Sequence, residues 1–66
     1  MWATLIGPKG DTLAKFMVKA LPSKGDSFYF WQAGLFYMGM VDHIDWFYES
    51  NKVYIKILLS YTMRAN

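Results

Sequence analysis

Apolar and polar residues alternate with a period of two over several short runs of this chain, and each run is stopped by residues that favour turns. Residues 2–6 are apolar around Thr4 and end at Gly7-Pro8-Lys9-Gly10-Asp11, so a first strand is expected to stop near Gly7. Residues 12–21 alternate next. Ala14, Phe16, Val18 and Ala20 share one face, and Leu13, Lys15, Met17, Lys19 and Leu21 share the other. The lysines assign the second face to solvent, which puts Phe16 and Val18 in the core and Leu13 and Met17 outside among lysine stems. Leu13, Phe16, Met17 and Ala20 also fit a helical stripe, but the segment is short and bracketed by hairpin-type turns, which favours a strand. After Pro22-Ser23-Lys24-Gly25-Asp26, residues 27–31 read as a strand with aromatics on both faces. Gln32-Ala33-Gly34 reads as a tight connection.

From Leu35 a long strand is expected to run to Tyr48, and its pattern changes phase on the way. Tyr37, Gly39 and Val41 set one face, yet the next apolar positions are Ile44 and Trp46. One extra residue at Asp42 or His43 restores the phase, which is the signature of a β-bulge in a curved strand. With that bulge, Phe28, Phe30, Tyr37 and Trp46 are expected inside and Phe47 outside. Glu49-Ser50-Asn51-Lys52 reads as the last hairpin turn. In the strand after it Val53, Ile55, Ile57 and Leu59 should face inward, with Tyr54, Lys56 and Leu58 outward. Residues 60–63 extend it or form a helical turn, and residues 64–66 are expected to fray. Five strands at this spacing predict an all-β single domain over residues 1–66. The expected form is a small five-stranded SH3-like or OB-like barrel with a bulged, curved fourth strand.

Composition adds a demand for a partner. A 66-residue chain buries only about 60% of its unfolded surface. It has no cysteine for a disulfide and a single histidine, which excludes an ordinary structural zinc site. Apolar residues make up 55% of the chain and aromatics 20%, more than one small core encloses. Some aromatics must therefore lie outside, and association is the remaining route to burial. The net charge of +2 is slight, with Lys9, Lys15, Lys19 and Lys24 giving the first half its basic bias. Proteins that depend on neutralising phosphates usually carry more. Residues 1–7 show no targeting pattern, and no run approaches the roughly 20 apolar residues of a membrane helix, so a cytoplasmic location is expected.

Candidate chemistry is thin. Asp42, His43 and Asp45 form the only titratable cluster, with no glycine-rich phosphate loop, no paired nucleophile and no zinc spacing around it. A solvated bulge in which an aspartate bonds nearby backbone accounts for these residues better than an acid–base or metal site. No catalytic residue, metal ligand or cofactor is expected, and no small-molecule substrate is evident.

Gly25-Asp26, Phe28, Phe30, Gly34, Gly39, Val41, Ile44, Val53 and Ile55 together resemble the KOW-type motif of SH3-like barrels. The resemblance covers about half the chain. The Gly39-x-Val41-x-x-Ile44 part fits well. The spacing around Gly34 is one residue long on either side, and Leu35, Phe36, Tyr37, Met38 and Met40 replace the basic residues usual near the glycines. It implies a small barrel that binds nucleic acid or protein in transcription or translation machinery.

The aromatic runs are the most unusual feature. Strand alternation places Tyr29, Trp31, Phe36, Met38, Met40 and Phe47 on an outer apolar surface, expected to meet a protein partner or a second copy of the chain. Trp31 with Lys15, Lys19 and Lys56 forms the competing set, in which aromatics stack on the bases of a nucleic acid. The first reading is preferred, because Asp42, Asp45 and Glu49 lie beside the aromatics. A short chain of this kind would suit a regulatory or inhibitory protein of a phage or mobile element.

Overall fold

Two tight turns organise the sheet. Ala33 and Gly34 have φ of 53° and 77°, and Ser50 and Asn51 have φ of 50° and 62°. Positive φ at both central residues is the type I′ geometry, whose twist matches that of paired strands. In the computed structural model, which describes residues 1–65, these turns join β3 (Ser27–Gln32) to β4 (Leu35–Glu49) and β4 to β5 (Lys52–Arg64). At the other end of the chain, β1 (Trp2–Ile6) and β2 (Thr12–Met17) form an antiparallel hairpin around Gly7-Pro8-Lys9-Gly10. Gly7 N–H donates to the Asp11 carbonyl at 2.8 Å to close it.

The five strands form one sheet in the order β2-β1-β5-β4-β3, curled into a half-barrel. Every pairing is antiparallel except β1 with β5, which run parallel from Trp2 opposite Tyr54 to Ile6 opposite Leu58. The small all-β barrel class expected from the sequence is what the chain adopts. Edge strands β2 and β3 approach each other through side chains, with the Phe16 and Phe28 rings 5.4 Å apart. No helix of the described residues is long and apolar enough to cross a membrane.

Curvature comes from bulges on facing strands. Val41 pairs with Leu59 and His43 with Leu58, which leaves Asp42 as the extra residue on β4. Met40 pairs with Tyr61, which leaves Ser60 as the extra residue on β5. The first bulge is the one the phase change predicts. The second carried no such signal, because Tyr61 and Met63 keep the parity of Leu59 along the sequence, so no phase change marks Ser60. Gly39 has no room for a side chain: a Cβ there would lie 2.6 Å from Leu59 Cδ1 and 3.1 Å from the Tyr61 carbonyl.

The concave face carries the core. Ala3, Leu5, Phe30, Val41, Ile55, Ile57 and Leu59 are buried, and Phe16, Phe28, Tyr37 and Ile44 pack against them half-buried. Phe30 and Tyr37 stack at 5.7 Å.

Several expectations need correction. Trp46 lies on the concave face, opposite Ile55, but it is 56% exposed, because β3 ends opposite Met40 and leaves this part of β4 as the edge of the sheet. Val53 is exposed because β1 starts its pairing with β5 at Trp2 opposite Tyr54 and does not reach it. Leu13 packs against the core rather than standing outside. Ala14 opposes Leu5 while Thr12 opposes Ile6, so Leu13 is the unpaired residue of a further irregularity. The second strand stops at Met17 instead of reaching residue 21, since β1 offers nothing beyond Trp2 except the Met1 carbonyl, which accepts from Val18 N–H. Residues 60–64 continue β5 without a helical turn, and Ala65 N–H donates to the Phe36 carbonyl, so the expected fraying does not reach Arg64 or Ala65. Asn66, the rest of that expectation, lies outside the described residues.

Candidate binding surface

On the convex side of the sheet, alternation turns out every residue that does not face the core, and strand register then decides which of them meet. Trp31 faces Phe36, Tyr29 faces Met38 and Ser27 faces Met40 across β3 and β4. Across β4 and β5, Met38 faces Met63 and Met40 faces Tyr61. These rows make one contiguous patch without a charged side chain. Met38 sits at its centre, and Phe36, in the row nearest the Ala33-Gly34 turn, lies 5.7 Å from the Tyr29 ring and 4.8 Å from the Trp31 ring. Tyr29 and Trp31 are 56% and 65% exposed, so the rings present their faces to solvent rather than filling a gap.

Five of the residues expected on this surface, Tyr29, Trp31, Phe36, Met38 and Met40, are therefore brought together. Phe47 is not among them. It shares the convex face of β4 but lies past the Asp42 bulge, where its ring stacks on Tyr54 at 5.0 Å and the Lys56 ammonium sits 4.9 Å above it. Tyr61 and Met63 belong to the patch and were missed. Their place depends on the Ser60 bulge and on β5 continuing past residue 59, neither of which their own pattern signals.

A second convex area lies toward the far hairpin. Met17, Trp2, Tyr54 and Phe47 line up across β2, β1, β5 and β4, and the next row runs Lys15, Thr4, Lys56 and Asp45. Lys15 and Lys56 thus flank one groove with Trp2, Thr4, Thr12 and Tyr54. Lys19 stands beyond the end of β2 beside Met1 and Leu21. Trp31 is on β3, on the opposite edge of the sheet. The set Lys15, Lys19, Lys56 and Trp31 is therefore split, and Trp2 and Tyr54 take the place beside the lysines that was assigned to Trp31.

Between the two areas lies the titratable cluster. His43 Nδ1 is 2.7 Å from Asp42 Oδ2, and His43 Nε2 is 3.6 Å from Asp45 Oδ1, with all three side chains about half exposed. Water screens such pairs, and no cavity encloses them. Among the described residues no group of His, Cys, Asp and Glu side chains is arranged to hold a metal ion. No protein-family model, no curated protein and no solved structure matches this chain.

Proposed function

We infer that this protein is a non-enzymatic binding module that docks a protein partner on the convex aromatic patch and self-associates. One observation carries the reading: a charge-free block spans three adjacent strands, with Tyr29, Trp31, Tyr61 and Met63 exposed and Phe36, Met38 and Met40 half-buried between them. Exposed aromatics in a rigid array supply contact area at low entropic cost, and the methionines adapt to an uneven partner surface. Trp31 and Phe36 are the anchors. Affinity capture from extract tests this, with Trp31→Ala and Phe36→Ala as the variants. Loss of the same captured protein in both supports the reading, provided far-ultraviolet circular dichroism is unchanged. Retention of every captured protein by both folded variants overturns it.

A second reading has its own observation. The groove between Lys15 and Lys56, floored by Thr4 and edged by Trp2 and Tyr54, combines cations with stacking rings as single-stranded nucleic acid requires. It ranks second because Asp45 closes the same row opposite Lys56. Tryptophan fluorescence titrated with single-stranded oligonucleotides tests it. Two phosphate contacts give a salt dependence of about −1.4 in log K against log salt, at about 0.7 per contact, and Lys15→Ala should halve it. Absence of quenching at low salt rejects this reading.

A further inference from the structure

The far half of β4 has an open edge. In a two-residue hairpin the residues flanking the turn exchange both main-chain bonds, so Glu49 and Lys52 face each other. Alternation then points the N–H and C=O groups of Phe47, Asp45 and His43 toward β5. It points those of Tyr48, Trp46 and Ile44 away from it. On that outer side β3 ends opposite Met40, and Gly25 and Asp26 bond Val41. Beyond Val41, no main-chain hydrogen bond of the described residues engages this edge. Such an edge is a template for another strand.

We propose that a second copy of this chain pairs antiparallel with this edge through its own β4, about a two-fold axis at Trp46. The inference rests on the self-association in the functional reading and gives it a surface separate from the aromatic patch. Antiparallel pairing through outward-pointing groups allows symmetric registers centred on Asp45, Trp46 or Phe47. Charge selects among them. Centring on Asp45 sets the two Asp45 carboxylates face to face, and centring on Phe47 sets Asp45 against Glu49, both unfavourable for directly opposed strand positions.

Centring on Trp46 avoids every like-charge contact. His43 then opposes Glu49 of the second copy, and Asp45 opposes the second copy's Phe47, over whose ring the Lys56 ammonium lies at 4.9 Å. On the concave side the register sets Trp46 against Trp46 and Ile44 against Tyr48. Trp46 and Tyr48 are 56% and 72% exposed in the single chain, so the pairing covers the apolar side chains that the core does not reach. The two half-barrels become one continuous sheet, and the aromatic patch stays free on each copy.

Light scattering on a gel-filtration column tests the pairing, with Trp46→Pro as the main variant. Proline removes an outward N–H and leaves the β4–β5 bonds in place. Trp46→Lys, a charge at the edge, is the second variant should proline disturb folding. The expected result is a mass near twice 7.7 kDa for the parent chain and for Trp31→Ala, and a folded monomer for at least one edge variant. A dimer unaffected in both folded edge variants overturns the proposal, as does a dimer dissolved by Trp31→Ala alone. A monomeric parent chain across micromolar to millimolar concentration overturns it too, while partner capture through Trp31 and Phe36 remains separately decidable. Register is read by cysteine. Paired Cα atoms about 5.5 Å apart lie in disulfide range, so Trp46→Cys should cross-link on oxidation and Tyr48→Cys should not. Equal cross-linking overturns the register.

Discussion

Replacing Gly39 by alanine tests the close approach at the bulges. The added methyl would lie 2.6 Å and 3.2 Å from the two Leu59 methyl carbons and 3.1 Å from the Tyr61 carbonyl oxygen. Leu59 is 3% exposed and cannot swing into solvent, and the carbonyl belongs to the strand itself. Overpacking of this kind costs about 1–3 kcal/mol. Stability of roughly 0.05–0.15 kcal/mol per residue puts the whole domain at about 3–10 kcal/mol, so the substitution removes a large share. Urea unfolding followed by tryptophan fluorescence, at a urea slope of about 1 kcal/mol/M, should show the midpoint falling by about 1–3 M. The discriminating measurement is the double variant with Leu59→Val, which lacks the two carbons nearest the new methyl. Leu59→Val alone should destabilise through lost packing, yet in the Gly39→Ala background it should cost less, giving a coupling of about 0.5 kcal/mol or more. Strict additivity, or a Gly39→Ala midpoint within error of the parent, would refute the steric account.

Other outcomes follow from the same geometry. Ile57, fully buried at the centre of β5, should cost about 2–5 kcal/mol as Ile57→Ala and about 0.5–1.5 kcal/mol as Ile57→Val, by the same urea assay. Ser50 holds φ of 50° in the far hairpin turn, where asparagine is better suited. Ser50→Asn should therefore raise the melting temperature by a few °C, since about 1 kcal/mol corresponds to roughly 4–8 °C in a domain this small. The stacked pair Phe47 and Tyr54 should show a coupling of about 0.5–1.5 kcal/mol in a double-mutant cycle to leucine. Trp31→Ala, an exposed change that loses only the ring pair with Phe36, should cost about 0.5–1.5 kcal/mol of stability while abolishing partner capture.

Local alternation made much of this architecture legible. Residues 53–59 alternate so cleanly that Ile55, Ile57 and Leu59 are buried as expected and Val53 alone of the inward set is left exposed. The phase change after Val41 located the β4 bulge because apolar residues on both sides of it face the same core. Trp46 shows where such reasoning stops: parity names its face, but the reach of the core depends on how far neighbouring strands extend. Strand length failed at residues 18–21 for the same reason, since alternation there has no partner to pair with. The candidate sites divided along the same line. The patch on β3 and β4 joins strands in one hairpin, so sequence order conveys it. The pairing of Lys15 with Lys56 and Trp2 with Tyr54 depends on β1 lying parallel to β5, and no local pattern encodes that neighbour.

That parallel pairing also sets the order in which the chain can fold. The β3–β4–β5 meander closes through two tight turns and needs only nearby residues. The β5 edge is covered only once Trp2 and Tyr54, far apart in the sequence, have found each other. Non-local pairing of this kind slows folding, because the loop entropy is lost before the contacts form. The half-buried core bounded by Ile55, Ile57 and Leu59 is open to other strands during that interval. The connection after Met17 that carries the chain from one hairpin to the other therefore acts as a tether: it keeps the β1–β2 hairpin at high local concentration over an edge that would otherwise accept a stranger.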